Sequence, residues 1–186
     1  MNYDWSVVWQ YRQMLLDGIG ITILLTVLTM LVAVPGGILL ALMRLSSMPW
    51  LARGSTAFVE LFRNLPLILV VYWAFYVMPM VSGIELSAFN TGLLALCLNV
   101  SAYNSETFRA GIQSIRKGQT EAAVALGFSK TQAMFKIILP QAWRRVLPVL
   151  ASTWVALFKD TSLVSVIAVG ELAHASMTIR SQNNPK

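Results

Sequence analysis

Few residues in this chain could do chemistry, and most of them are charged side chains in apolar company. Lys159 and Asp160 interrupt a hydrophobic run and are followed by Thr161 and Ser162. A charge at bilayer depth costs roughly 2.5 to 3.5 kcal/mol even on lenient insertion scales, so the pair must face protein or water. Adjacent helical residues do not face each other, and each is expected to find a partner on another helix. Two readings stay open for Lys159, Asp160, Thr161 and Ser162. They mark a break lining a translocation route, where irregular backbone is tolerated only beside a cavity, or they form a structural ion-pair network at a subunit contact. Glu106 and Arg109, three apart, can pair on one helix face, while Tyr103, Asn104 and Glu106 could instead touch the charged groups of a small polar substrate. One cysteine, Cys97, and one histidine, His174, can build neither a disulfide framework nor a multi-ligand metal cluster. Cys97 is expected to pack as a small hydrophobe. The stretch "GFSKT" is a decoy, because a phosphate-binding loop ending at Thr131 needs glycine where Val124 and Ser129 stand.

The elements that position these residues are membrane helices. Of 186 residues 56% are hydrophobic and 12% charged, whereas soluble domains are about a quarter charged. No residue between Asp17 and Arg44 is charged, a length that exceeds the hydrocarbon thickness. That span is expected to tilt or kink at Pro35, Gly36 and Gly37. A second run lies between Arg63 and Glu85, opened by Asn64 to Pro66 and carrying Tyr72, Trp73 and Tyr76. A third covers Leu86 to Ser105, and a fourth Val146 to Gly170 if Lys159 and Asp160 are accepted inside it. Arg63 and Asn64 read as an interfacial anchor and helix start. Trp50, Trp73, Trp143 and Trp154 read as belt or packing residues. The beginning, "MNYDWSVVWQYRQ", lacks a basic region and a small-residue cleavage pattern, so the first span is expected to persist. These runs, with no nucleophile, metal or cofactor motif, exclude a soluble enzyme.

Net charge is +6, and its distribution speaks for topology rather than nucleic acid. With the amino terminus outside, Arg44, Arg53, Arg63, Arg109, Arg116, Lys117, Lys130, Lys136, Arg144 and Arg145 share one side. The other side keeps Arg12, Arg180 and Lys186 beside Asp4, Asp17, Glu85 and Glu171. By the positive-inside rule the segment around residues 113–141 is cytoplasmic. The ending "RSQNNPK" falls outside, as an external tail or as a loop whose following helix is absent.

That cytoplasmic segment is a polar, helix-forming insert. Gly118 should end what precedes it, Thr120 can N-cap a short helix, and Glu121 suits the positive end of its dipole. Gly127 offers a left-handed stop, and Ser129 with Gln132 forms a capping box for a second helix, expected to end near Leu139 before Pro140. Ala122, Ala123 and Ala125 would let another protein approach closely. The alternative is an amphipathic hairpin on lipid, with Met134, Ile137 and Ile138 dipping in and Lys130 and Lys136 facing phosphate.

The register of Glu121, Ala122, Ala123, Gly127, Ile137, Leu139 and Pro140 resembles the EAA signature of bacterial ABC importer permeases. "VELFRNLPLILV", "AYNSETFRAGIQSIRKGQTEAA" and "LFKDTSLVSVIAVGEL" are similar to the polar amino-acid permeases of the histidine, glutamine and glutamate/aspartate uptake type. The resemblance covers about Gly18 to Ile179. It implies an all-α, polytopic type I permease core forming a single transmembrane domain over residues 1–186. Five helices are the family norm; four are visible, which reads as truncation. It also implies a second permease subunit, same or homologous, an ATP-binding-cassette ATPase dimer that carries ATP and magnesium, and an extracytoplasmic amino-acid-binding protein. The chain itself is then a transport subunit without enzyme activity or cofactor, in the bacterial inner membrane. In the family the insert's first helix is the coupling helix, and Glu121 would make polar contact in the ATPase groove. The end of the chain looks more like the glutamate/aspartate branch. A self-contained carrier or channel with a lipid-surface hairpin is the competing reading, and it has no need of the EAA register.

Overall fold

A computed structural model of the protein describes residues 6–183; Asp4 and Lys186, counted above for topology, lie outside them. Among the described residues all regular structure is helical. After α1 (Ser6–Gln10) come α2 (Arg12–Arg44), α3 (Pro49–Asn64) and α4 (Leu67–Tyr72), a π turn (Trp73–Val77) and α5 (Met78–Ser82). There follow α6 (Ala88–Gln113), α7 (Lys117–Ala125), α8 (Lys130–Ala133), a second π turn (Met134–Ile138), α9 (Leu139–Asp160), a 3-10 stretch (Thr161–Ile167) and α10 (Leu172–Asn183).

Arg12–Arg44 and Lys130–Ile167, of 33 and 38 residues, are long and apolar enough to cross a membrane, and Pro49–Asn64 with Leu67–Ser82 adds a third if taken as one broken span. The third apolar run forms α6, whose 26 residues reach about 39 Å. Asn64 closes α3 instead of opening a span, because Leu65 (φ −84°, ψ 132°) is extended before Pro66. Pro140 does not end the second helix of the insert. The π turn Met134–Ile138 precedes it, and the helix continues through Leu139–Asp160. A wider turn before proline eases the clash of its ring with the preceding carbonyls and absorbs the missing N–H. The same device precedes Pro79.

The chain forms two compact units. The first takes residues up to Met30, Pro66–Cys97 and those from Ala156 on; the second takes Leu31–Leu65 and Leu98–Val155. In the second unit Ala41, Phe108, Val146 and Leu150 make one apolar cluster, and Ile112, Ile115, Ile138 and Ala142 another. α2 stays helical through Pro35, and Gly37 serves a close approach: a Cβ there would sit 2.5 Å from the Asn104 Cβ. Asn104 is fully buried and donates Nδ2–H to the Ala33 carbonyl at 3.2 Å. It packs the two helices together at this crossing. Trp143 stacks on Phe108 with centroids 5.8 Å apart.

In the first unit Gly18 and Gly92 admit close neighbours, Leu172 and Ala175 for the former, Val164 and Val169 for the latter. Cys97 is buried, as expected of a small hydrophobe. Glu171 is buried as well, and its carboxylate accepts the N–H groups of Ala173 and His174, each at 2.8 Å. It caps α10 and neutralises the positive end of that helix.

Candidate functional site

The insert occupies the second unit. α7 begins at Lys117, with Arg116 as N-cap and no side-chain cap, so Thr120 lies inside the helix and Gly118 does not end anything. The cause is tertiary: Ile115 is anchored in the apolar cluster with Ile112 and Ile138, which fixes where the chain can turn. Glu121 consequently sits in the second turn, where the dipole matters less. Gly127 ends the helix as expected, at φ +86°. Phe128 N–H donates to the Ala123 carbonyl at 3.0 Å and Gly127 N–H to the Val124 carbonyl at 2.9 Å, the two bonds of a Schellman ending. Ser129 and Gln132 then form the capping box in both directions, at 3.2 and 2.9 Å.

Glu121, Ala122 and Ala125 are exposed, whereas Ala123 is buried. Val124, Leu126 and Phe135 are exposed apolar side chains on the same insert. Ile137 and Leu139 are half-buried against the apolar cluster, and Pro140 is exposed. The motif thus divides into residues that shape the turn, residues that root it and residues that face out.

A second feature of this unit is an ion network around Glu106. Its carboxylate meets Arg44 Nη1 at 2.6 Å and Arg63 Nη1 at 3.8 Å, and pairs with Arg109 three residues on. Arg44 also lies 3.9 Å from Glu60. The Glu106–Arg109 pair was readable from spacing, but the roles of Arg44 and Arg63 were not. Tyr103 caps the end of α3 by donating its hydroxyl to the Arg63 carbonyl at 3.3 Å, and its ring lies 5.6 Å beneath the Arg63 guanidinium. Asn99 does the same for the Phe62 carbonyl at 2.9 Å. Tyr103 and Glu106 are thus held by contacts within the protein.

The remaining candidates lie in the first unit. The helix changes from α to 3-10 at Thr161, which is the break expected at Lys159 to Ser162, and the 3-10 stretch ends on Ala168 at φ +59°. Lys159, Thr161 and Ser162 line a cavity of about 540 Å³ together with Thr22, Glu171 and Ser176. Asp160 is half-buried beside them and does not line it. Among the described residues neither Lys159 nor Asp160 makes an ion pair within this chain. The Thr161 and Ser162 hydroxyls turn back to the carbonyls of Phe158 and Lys159 at 2.8 and 2.7 Å, satisfying groups released where the helix tightens. No group of three potential metal ligands occurs among the described residues.

The profile of a family described as binding-protein-dependent transport system inner membrane component matches residues 33–184. The glutamate/aspartate import permease protein of Escherichia coli O157:H7 is 39% identical over 185 residues, covering 96% of this chain and 83% of that protein. A probable glutamine ABC transporter permease protein of Bacillus subtilis (strain 168) is 37% identical over 183 residues, covering 98% and 84%. Among solved structures, an amino acid ABC transporter with histidines superposes with a TM-score of 0.90 at 33% identity, covering 98% of this chain and 85% of the other. An inward-facing methionine ABC transporter, at 19% identity, a TM-score of 0.71 and coverage of 98% and 84%, shares the fold.

Proposed function

The chain belongs to the family of binding-protein-dependent transport system inner membrane components, and from that premise we propose that it is the membrane-spanning subunit of an ATP-driven importer of polar amino acids. It works beside a second permease subunit, same or homologous, and receives substrate from a binding protein outside. ATP and magnesium are held by a partner ATPase dimer. The bacterial inner membrane holds it with the amino terminus outside.

The observation that carries this reading is the insert. α7 is a short helix with Glu121 and Ala122 exposed, ended by the left-handed Gly127 and followed at once by a capped second helix. The residues that face out from α7 and its turn, Glu121, Ala122, Val124 and Leu126, mix a charge with small and apolar side chains and suit a groove on another protein. Docking there would deliver movement of the ATPase to α9, whose far end carries Lys159 at the cavity. Lys159, Asp160, Thr161 and Ser162 are assigned to the substrate pathway, with Tyr103 and Glu106 as its candidates in the other unit. Relatives named for glutamate/aspartate and glutamine support a polar amino acid, and glutamate or aspartate is the first candidate.

Pull-down from membranes co-expressing the protein with its candidate ATPase tests the docking. Glu121→Lys and Gly127→Val are each expected to abolish capture while leaving membrane insertion unchanged; Gly127→Val forces a side chain into left-handed backbone at roughly 1–2 kcal/mol. Capture that persists in both variants makes the insert a lipid-surface hairpin. For the substrate, uptake of labelled amino acid with the cognate binding protein should be competed by glutamate and aspartate, and failure of both to compete removes that assignment.

A further inference from the structure

α9 carries Gln141 and Arg145 four residues apart, and therefore on one face. Arg145 Nη1 donates to the Ser114 carbonyl at 2.6 Å and to Ser114 Oγ at 2.9 Å. Gln141 Nε2 donates to Gln119 Oε1 at 3.1 Å and to the Ile137 carbonyl at 3.0 Å. Ser114 is the first residue beyond α6, and Gln119 lies in the first turn of α7, so the two contacts bracket the turn that leads into α7. The Ser114 hydroxyl donates to the Gly111 carbonyl at 2.7 Å, which leaves its oxygen free to accept from Arg145.

These contacts are not what joins α9 to α6. That is done by Ile112, Ile115, Ile138 and Ala142, which are buried together underneath. What the polar pair adds is direction. An apolar cluster lets a short helix pivot, because burial does not specify an angle; two hydrogen-bonded anchors at the root of α7 do specify one. One of the two is charge-assisted, with the single Arg145 Nη1 donating to both the carbonyl and the hydroxyl of Ser114, which makes it the stronger anchor. Besides these anchors α7 packs on the Met134–Ile138 turn and on α8, with Ala123 as its buried side chain and open space where a Cβ on Gly118 would be.

We infer that Gln141 and Arg145 are positioning residues that lock α7 to α9, so that a displacement of α7 becomes a displacement of α9 instead of a pivot about its root. The inference rests on the reading of α7 as the ATPase-docking helix. Without the lock the outward residues Glu121, Ala122 and Gly127 are still present and still dock, but hydrolysis runs without transport.

The test uses proteoliposomes holding the full complex of permease, ATPase and binding protein, with labelled glutamate, aspartate, glutamine and arginine as probes. Gln141→Leu with Arg145→Met removes both anchors at nearly constant volume; Gln141→Leu alone is the milder lesion. Capture of the ATPase and ATP hydrolysis should remain near wild type, while amino acid carried per ATP falls roughly tenfold in the double variant, the scale on which such couplings are modulated. Arg145→Lys, which keeps a donor toward Ser114, should recover most of the loss, and a merely structural role would not show that split. Unchanged transport per ATP in the double variant overturns the lock. So does a parallel fall of capture, hydrolysis and uptake. If the wild-type pair forms no complex with the ATPase, the docking reading itself fails, and that result is obtained before any variant is made.

Discussion

In the second unit three arginines converge on one glutamate: Arg44 at 2.6 Å and Arg63 at 3.8 Å from Glu106, with Arg109 closing on it from the next turn. In the first unit Lys159 and Asp160 stand side by side with no ion pair among the described residues, and Lys159 opens onto a cavity of about 540 Å³. Both groups sit in helices of a mostly apolar chain, yet the first compensates its charge internally and the second leaves it available. Compensation steadies the helices that meet at Glu106, because the carboxylate ties α2, α3 and α6 together. An uncompensated charge beside a cavity is where a ligand's own charge can complete the pairing, and it is kept at the cost of the folded state.

The comparison can be broken most forcefully at Glu106. Glu106→Ala leaves Arg44, only 9% exposed, with Arg63 and Arg109 as mutually repelling neighbours. Removing one partner of a partly buried network of this kind is expected to destabilise the protein by about 2–4 kcal/mol, read from unfolding midpoints in detergent. Lys159→Met should behave in the opposite manner. With no ion pair to lose, its stability should move by no more than about 1 kcal/mol, while amino acid uptake drops; a stability loss as large as that of Glu106→Ala would place Lys159 in the scaffold. The smallest effect is expected for Glu60→Ala, whose exposed carboxylate is 3.9 Å from Arg44. Below about 0.5 kcal/mol in the same assay is the expectation for such an exposed contact, and a larger value would extend the network to the surface.

The parts of this molecule that were legible in the sequence are those whose signals are local. Gly127 as a left-handed stop, Ser129 with Gln132 as a capping box and Glu106 with Arg109 at three residues' distance all depend on neighbours along the chain. The break after Lys159 was legible because charge in an apolar run needs an explanation. What could not be read depends on partners far away in sequence. The start of α7 is set by Ile115 in an apolar cluster, not by the capping preference of Thr120. Arg44 meets Glu106 across 62 positions, and spacing says nothing about that. The π turn before Pro140 is invisible for a different reason: proline normally argues against helix, and only the widened turn reconciles the two. Glu171 counted in the sequence as one more surface charge, yet it is buried as the cap of α10.

Gly127 can also be considered as a matter of handedness. Its φ of +86° lies on the side of backbone space that belongs to mirror-image amino acids, and glycine enters it because it has no chirality to violate. Nothing surrounds the position where an L side chain would project, so the backbone angle alone opposes one. By backbone preference a D-alanine placed there by chemical synthesis or semisynthesis favours the turn and restricts it further, whereas L-alanine, with the same atoms, works against it.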